Sequence, residues 1–300
     1  MEGKWMTILT TIAVLGLLSL LFAWLLQSPG LPLSQGGVAI IPVKGVLVSE
    51  PSAGFFTSDE ADAKTIIAFL REAEDDQGIK AIILDINSPG GSPVPTDEIS
   101  RVVKESNKTV IAVIHDVGAS GAYWIASSAD IVVANPMSVV GSIGVVSSYV
   151  DFAGLMERYG VRYNRLVSGE YKDAGSPFRN LTTEERYLLQ AKLDLIRDRF
   201  IDEVAANRNL SREKVEGLAD GMVLLGSEAK DAGLVDVLGT RDDALVILEQ
   251  RFNASLQPIE YVRKESFWSM LSQIISRQGF LIGQGIGTSL VEGQQQQIMV

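Results

Sequence analysis

Residues Ile79 to Gly91 read Ile-Lys-Ala-Ile-Ile-Leu-Asp-Ile-Asn-Ser-Pro-Gly-Gly. The first eight form a nearly continuous apolar run, without the alternation of a half-solvated strand. Such a run fits a strand of a parallel sheet covered by helices on both faces. Upstream, Val38 to Val43 (VAIIPV) is a second β-branched run, and Ala61 to Ala73 places Ile66, Leu70 and Ala73 on one helical face. Downstream, Thr96 to Ser106 reads as a helix with Ile99, Val102 and Val103 inward. Thr109 to Ile114 (TVIAVI) is a third buried strand, Ala119 to Ala129 a helix, and Asp130 to Ala134 (DIVVA) a fourth strand. Alternating strands and helices of this kind predict βαβ units around a parallel sheet, an α/β fold.

Two breaks in that rhythm fall where parallel sheets place their sites, at the C-terminal ends of strands. Asn87-Ser88-Pro89-Gly90-Gly91 follows one strand and precedes a helix. Its paired glycines allow either an ordinary tight turn or backbone N–H groups bared for an oxyanion. Gly118-Ala119-Ser120-Gly121-Ala122 occupies the equivalent place after the next strand. Ser120 there is either a helix cap or a nucleophile at a helix N-terminus, where developing negative charge is favoured. The pattern departs from the G-x-S-x-G elbow because position 122 is alanine.

Composition narrows the chemistry. The 300 residues carry 26 Lys plus Arg against 37 Asp plus Glu, a formal charge of −11, which argues against non-specific nucleic-acid binding. No cysteine is present, excluding disulfides, thiolate metal sites and a cysteine nucleophile. The single histidine, His115, lies five residues before Ser120 at the end of the same strand, poorly placed to double back as its base. A lysine whose amine is kept neutral can serve instead. Lys172, in the small-residue stretch Ser168 to Pro177 (SGEYKDAGSP), is a candidate, although a solvated surface charge would read the same way.

The N-terminus is of another character. Met6 to Leu26 carries no charge over 21 residues, about 32 Å of helix, enough to cross a bilayer core. Trp5 and Trp24 lie near its ends, and no A-x-A cleavage pattern comes after Leu26. The expectation is an uncleaved anchor over residues 1–27 with its N-terminus cytoplasmic and the body outside the membrane. Lys4 precedes the span, and the first basic residue beyond it is Lys44. Residues 28–37 (SPGLPLSQGG) form a breaker-rich linker.

Four motifs in order, NSPGG, GASGAYWIASSAD, VVGSIGV and SGEYKDAGSPFRNLTTEER, resemble the signal peptide peptidase A family of membrane-bound Ser-Lys proteases, over about residues 36 to 245. The resemblance implies a Clp protease/crotonase-like α/β fold in the short, single-domain form. It implies Ser120 as nucleophile, Lys172 as general base and Ser142 as the hydroxyl that orients the lysine. The N–H groups of Gly121 and Gly90 would form the oxyanion hole, with Gly91 the next candidate. It further implies peptide substrates such as cleaved signal peptides, a ring- or dome-shaped homo-oligomer, and no metal or cofactor. Ala122 stands where other members often have a second glycine.

The protease domain is expected over 38–250 and a C-terminal helical segment and tail over 251–300. Phe267, Met270, Leu271, Ile274 and Ile275 form a helical stripe there. The segment either docks on the body or lies in the substrate groove as an internal mimic of an apolar peptide. Three other functions share parts of the pattern: a membrane protease acting on membrane-organising proteins, an acyl-CoA enzyme of the crotonase type, and a non-catalytic scaffold. The acyl-CoA reading has no use for Ser120 or Lys172.

Overall fold

A computed structural model describes residues 14–19, 36–51 and 60–262. Residues 14–19 form a helical segment, α1; the rest of the expected Met6–Leu26 anchor and the Phe267–Ile275 stripe lie outside the described residues. No helix among the described residues is long and apolar enough to cross a membrane.

The predicted alternation is present. Strands β1 (Gly37–Lys44), β4 (Ile79–Ser88), β5 (Thr109–Ala119) and β6 (Ile131–Ala134) are separated by α2 (Ala63–Asp75), α3 (Pro93–Glu105) and α4 (Gly121–Ser127). A short parallel pair, β2 (Val46–Val48) and β3 (Glu60–Asp62), lies between β1 and α2. After β6 come β7 (Val139–Gly141), α5 (Ala153–Arg158), the long α6 (Thr183–Arg208), α7 (Arg212–Leu218), β8 (Val223–Leu225), α8 (Gly226–Ala232), β9 (Val237–Leu238), α9 (Arg241–Phe252) and β10 (Gln257–Glu260).

The main sheet runs β10-β1-β4-β5-β6-β9, with β7 beside β5 and β8 beside β7. Every pairing is parallel except β7 with β8. Ile82, Ile83 and Leu84 on β4 and Ile111 and Ala112 on β5 are fully buried, as a sheet covered on both faces requires. One face packs on Ala244 and Leu248 of α9, which closes a cluster with Val38, Ile40, Ile83 and Ile111. Local signals set the helix starts: Asp62 caps α2 through Thr65 N–H, and Pro93 opens α3 where no intrahelical donor is needed.

β5 holds the irregularity that shapes the site. Ile86 pairs with Ile114, and two residues later Ser88 pairs with Gly118, so three residues of β5 stand opposite Asn87 alone. Bulges of this kind bend a strand and re-aim the residues beyond the bend. Before the bulge β5 lies beside β6; after it, Val117 to Ala119 lie beside β7. Asn87 Oδ1 accepts from Val117 N–H at 3.1 Å, and buried Asp85 accepts from His115 within the bulge and from Lys44 at 2.8 Å. Burial raises the Asp85 pKa, but the hydrogen bonds and charges of Lys44 and His115 outweigh it and leave the group below its ordinary 3.8. A carboxyl depressed on folding stabilises the fold above its ordinary pKa and loses that contribution as pH falls through the folded value. Asp85→Asn should therefore lower stability to denaturant at pH 7, and the gap to wild type should close as pH falls below about 4.

Candidate active site

Ser120 is the residue between β5 and α4, with φ 52° and ψ −125°, a conformation that costs a non-glycine residue of order 1–3 kcal/mol. Its side chain makes no capping bond to α4, so the cap reading of this serine fails. The backbone is held instead: Ser120 N–H donates to the Gly141 carbonyl at 2.7 Å, and Trp124 N–H closes the helix turn on the Ser120 carbonyl at 3.0 Å. Ser142 mirrors this geometry. Ala119 pairs with Gly141, so Ser120 and Ser142 each leave the end of one of two neighbouring strands, and Ser142 also has a positive φ of 51°. Its Oγ donates to the Gly221 carbonyl at 3.1 Å.

The glycine turn after β4 comes up against the same point. Gly90 has φ +95°, and a Cβ added there would lie 2.8 Å from Gly121 N and 2.9 Å from Ser120 Cβ. Any side chain there would be both strained and crowded. Gly90 N–H already donates to Ser88 Oγ at 3.1 Å. Gly91 packs its backbone on Leu47 and makes no hydrogen bond through its N–H among the described residues. Gly121 is closed in by Thr96, whose Oγ1 would meet an added Cβ at 2.5 Å. α4 is buried along its whole length, and Trp124 stacks on Phe200 of α6 at 5.0 Å between ring centroids.

Ser120, Ser142, Gly90, Gly91 and Gly121 all line one open cavity of about 620 Å³, whose apolar wall includes Trp124 and Phe200. Lys172 is not among the described residues that line it. It lies in an exposed turn between α5 and α6, with its N–H bonded to Gly169 O at 3.2 Å. The sequence motifs therefore converge within one chain except for the lysine. The carboxylate of Asp173, its neighbour, is turned to Arg165 and Arg179. His115 faces a separate cavity with Asp85 and Lys44, away from Ser120. Thr96, Trp124, Ile196 and Phe200 went unread in the sequence as cavity residues, because each looks like ordinary helix core. Arg165 and Arg179 went unread because nothing local pairs them with Asp173.

A strained serine at a strand-to-helix turn, ringed by glycine backbone over an apolar cavity, defines an α/β protein with its site at the C-terminal edge of the sheet. The sequence profile of peptidase family S49 matches residues 103–255. A protein of Methanocaldococcus jannaschii provisionally named a protease is 38% identical over 79% of this chain and 76% of its own length. An Enterococcus faecium protein provisionally named signal peptide peptidase SppA is 32% identical over 72% of this chain and 64% of its own. Protease 4 of Haemophilus influenzae is 33% identical over 72% of this chain, which spans only 35% of that longer protein. The chain belongs to peptidase family S49, the signal peptide peptidase A family, and is a protease.

The close approach of α3 to α4 is testable. Gly121→Ala drives a methyl into Thr96 Oγ1 and should lower peptide hydrolysis at least about tenfold, as misplacement by about an ångström does. Adding Thr96→Ala should return part of that loss, which kcat measured for the two single variants and the double variant will show.

Proposed function

We propose that this chain is a membrane-anchored serine endopeptidase that cleaves apolar peptides, spent signal peptides among them, with Ser120 as nucleophile and Lys172 as general base. The observation that carries it is Ser120 itself: strained, without a capping bond, and lining one cavity with Gly90, Gly91 and Gly121. Neutral Lys172 takes the Ser120 proton as Oγ attacks the peptide carbonyl; the protonated amine then gives that proton to the leaving nitrogen. A water deprotonated by the same amine releases the acyl-enzyme. Gly121 N–H and the Gly90–Gly91 turn supply the oxyanion donors, each worth about 3 kcal/mol of barrier. Gly90 must exchange Ser88 Oγ for the oxyanion, whereas Gly91 has no such bond to give up. Ser142 orients the lysine amine, and the fold is of the Clp protease/crotonase kind.

We infer further that the lysine reaches the serine from a neighbouring copy. Within one chain Lys172 is exposed and outside the Ser120 cavity, and the surrounding stretch exposes Val146, Val150, Leu155, Tyr159, Leu166 and Tyr187. Apolar surface on that scale favours burial against another subunit. Residues 1–27 then hold the assembly on the outer face of the membrane, N-terminus inward. An apolar cavity wall suits apolar side chains of the substrate.

Ser120→Ala and Lys172→Ala should each abolish peptide hydrolysis, and their losses should not add. Lys172→Arg should be as inactive, since a guanidinium cannot accept the proton. A fluorophosphonate should label wild type and not Ser120→Ala. Mixing the two inactive alanine variants should regain activity once subunits exchange. No recovery after confirmed exchange would place the pair within one chain, and a Lys172→Ala protein keeping more than about a tenth of activity would remove the lysine from the mechanism.

A further inference from the structure

A lysine can act as a base only when no carboxylate holds its amine charged. Lys172 has four carboxylates in its own stretch and in the first turn of α6: Glu170, Asp173, Glu184 and Glu185. Three of them are committed elsewhere. Arg165 grips Asp173 through Nε to Oδ2 and Nη2 to Oδ1, both at 2.7 Å. Arg179 grips the same carboxylate from the other side, Nε to Oδ2 at 3.0 Å and Nη2 to Oδ1 at 2.9 Å. Arg179 continues to Glu185, through Nη1 to Oε2 at 2.8 Å and through Nη2 to Oε1. Glu184 accepts from Tyr171 Oη at 2.7 Å. Glu170 has an exposed side chain and gives its carbonyl to Arg165 Nη2 at 2.8 Å. Lys172 makes no ion pair among the described residues.

We propose that Arg165 and Arg179 are positioning residues for the lysine base: they draw the Asp173 carboxylate away from its amine and fasten its loop to the start of α6. The proposal rests on the Ser120–Lys172 reading above. Two arginines and two carboxylates sum to zero charge, so the clamp withdraws an anion without placing a net cation beside the lysine. Both arginines meet Asp173 in the planar two-bond fork that lysine could not reproduce. Glu185 also closes a capping box with Thr182, donor and acceptor in both directions, so the clamp ends on a helix terminus and not on a loose side chain. The hydrogen bonds from Arg179 and Arg165 hold Asp173 far below the usual carboxylate range. Arg179 first, then Thr182, hold Glu185 down at about 2. Both stay ionised and clamped at every pH where a lysine amine could be neutral.

The test is the pH dependence of kcat for a short apolar peptide, using the full-length chain. Asp173→Asn removes one carboxylate and leaves the clamp, with Glu185 still paired to Arg179, carrying one net positive charge near Lys172, so the rising limb should move to lower pH. Arg165→Gln with Arg179→Gln releases the carboxylate and should move the limb up by about one pH unit or more, with activity about tenfold lower at pH values below it. Adding Asp173→Asn to that pair should take back part of the shift, since Glu185 stays without its arginine. Should loss of the Glu185 partner prevent folding, Arg165→Gln with and without Asp173→Asn asks the same question with a smaller displacement. A purely structural clamp would lower the rate and leave the limb at its wild-type pH; that result, or a shift that Asp173→Asn does not reduce at all, overturns the proposal. An active Lys172→Ala sinks the lysine mechanism and the clamp together, whereas an inactive one with an unmoved limb sinks the clamp alone.

Discussion

The site depends on one change of partner in the sheet. β5 lies beside β6 up to Ile114 and beside β7 from Val117, and the bulge between them carries the turn. That switch sets Ala119 against Gly141 and brings the Ser120 N–H to the Gly141 carbonyl at 2.7 Å. Asp85, Asn87 and Ser138 brace the bulge: Asp85 through His115, Asn87 through Val117 N–H, and Ser138 through the Ile114 carbonyl at 3.2 Å. A plain β5 continuing beside β6 would point Ser120 elsewhere and leave Ser142 on a distant edge.

Strain at this corner is held by burial around it. Ser120, Ser142 and Gly90 all have positive φ, two of them without a glycine's freedom, at a cost of order 1–3 kcal/mol each for the serines. α4 opposes that strain through packing: all seven of its residues are buried, and Tyr123 Oη donates to the Leu234 carbonyl at 2.9 Å. Thr96 and Phe200 fix it from α3 and α6. A short helix packed on every side is a rigid mount for a serine whose backbone would otherwise relax.

Residues 146–195 are built on other terms. From Val146 to Leu195 the structure exposes large apolar side chains, and its firmest tie is ionic: Arg165, Asp173, Arg179 and Glu185. α6 buries Phe200, Ile201 and Val204 near its C-terminal end, whereas among residues 186–199 none is buried. The buried half packs on α4 and α7, with Phe200 stacked on Trp124. The other half begins at the Glu185 end of the ionic tie, and Lys172, in the turn before it, is exposed and outside the Ser120 cavity.

The sequence by itself determined the βαβ rhythm, because continuous apolar runs leave a strand no choice but double-sided burial, and the strands over 38–43, 79–86, 109–114 and 130–134 all lie where those runs lie. It also determined the family, since four motifs stand in order. The short strands β7 to β10 were illegible: two to four residues carry no periodicity of their own. Tertiary structure alone decided that Ser120 is strained and uncapped, that Gly90 N–H already has Ser88 as partner, and that Asp173 turns to two arginines eight residues before and six after it. Each of those outcomes depends on which distant backbone or charge arrives beside a residue. Local pattern records what a side chain is, and only packing settles what it meets.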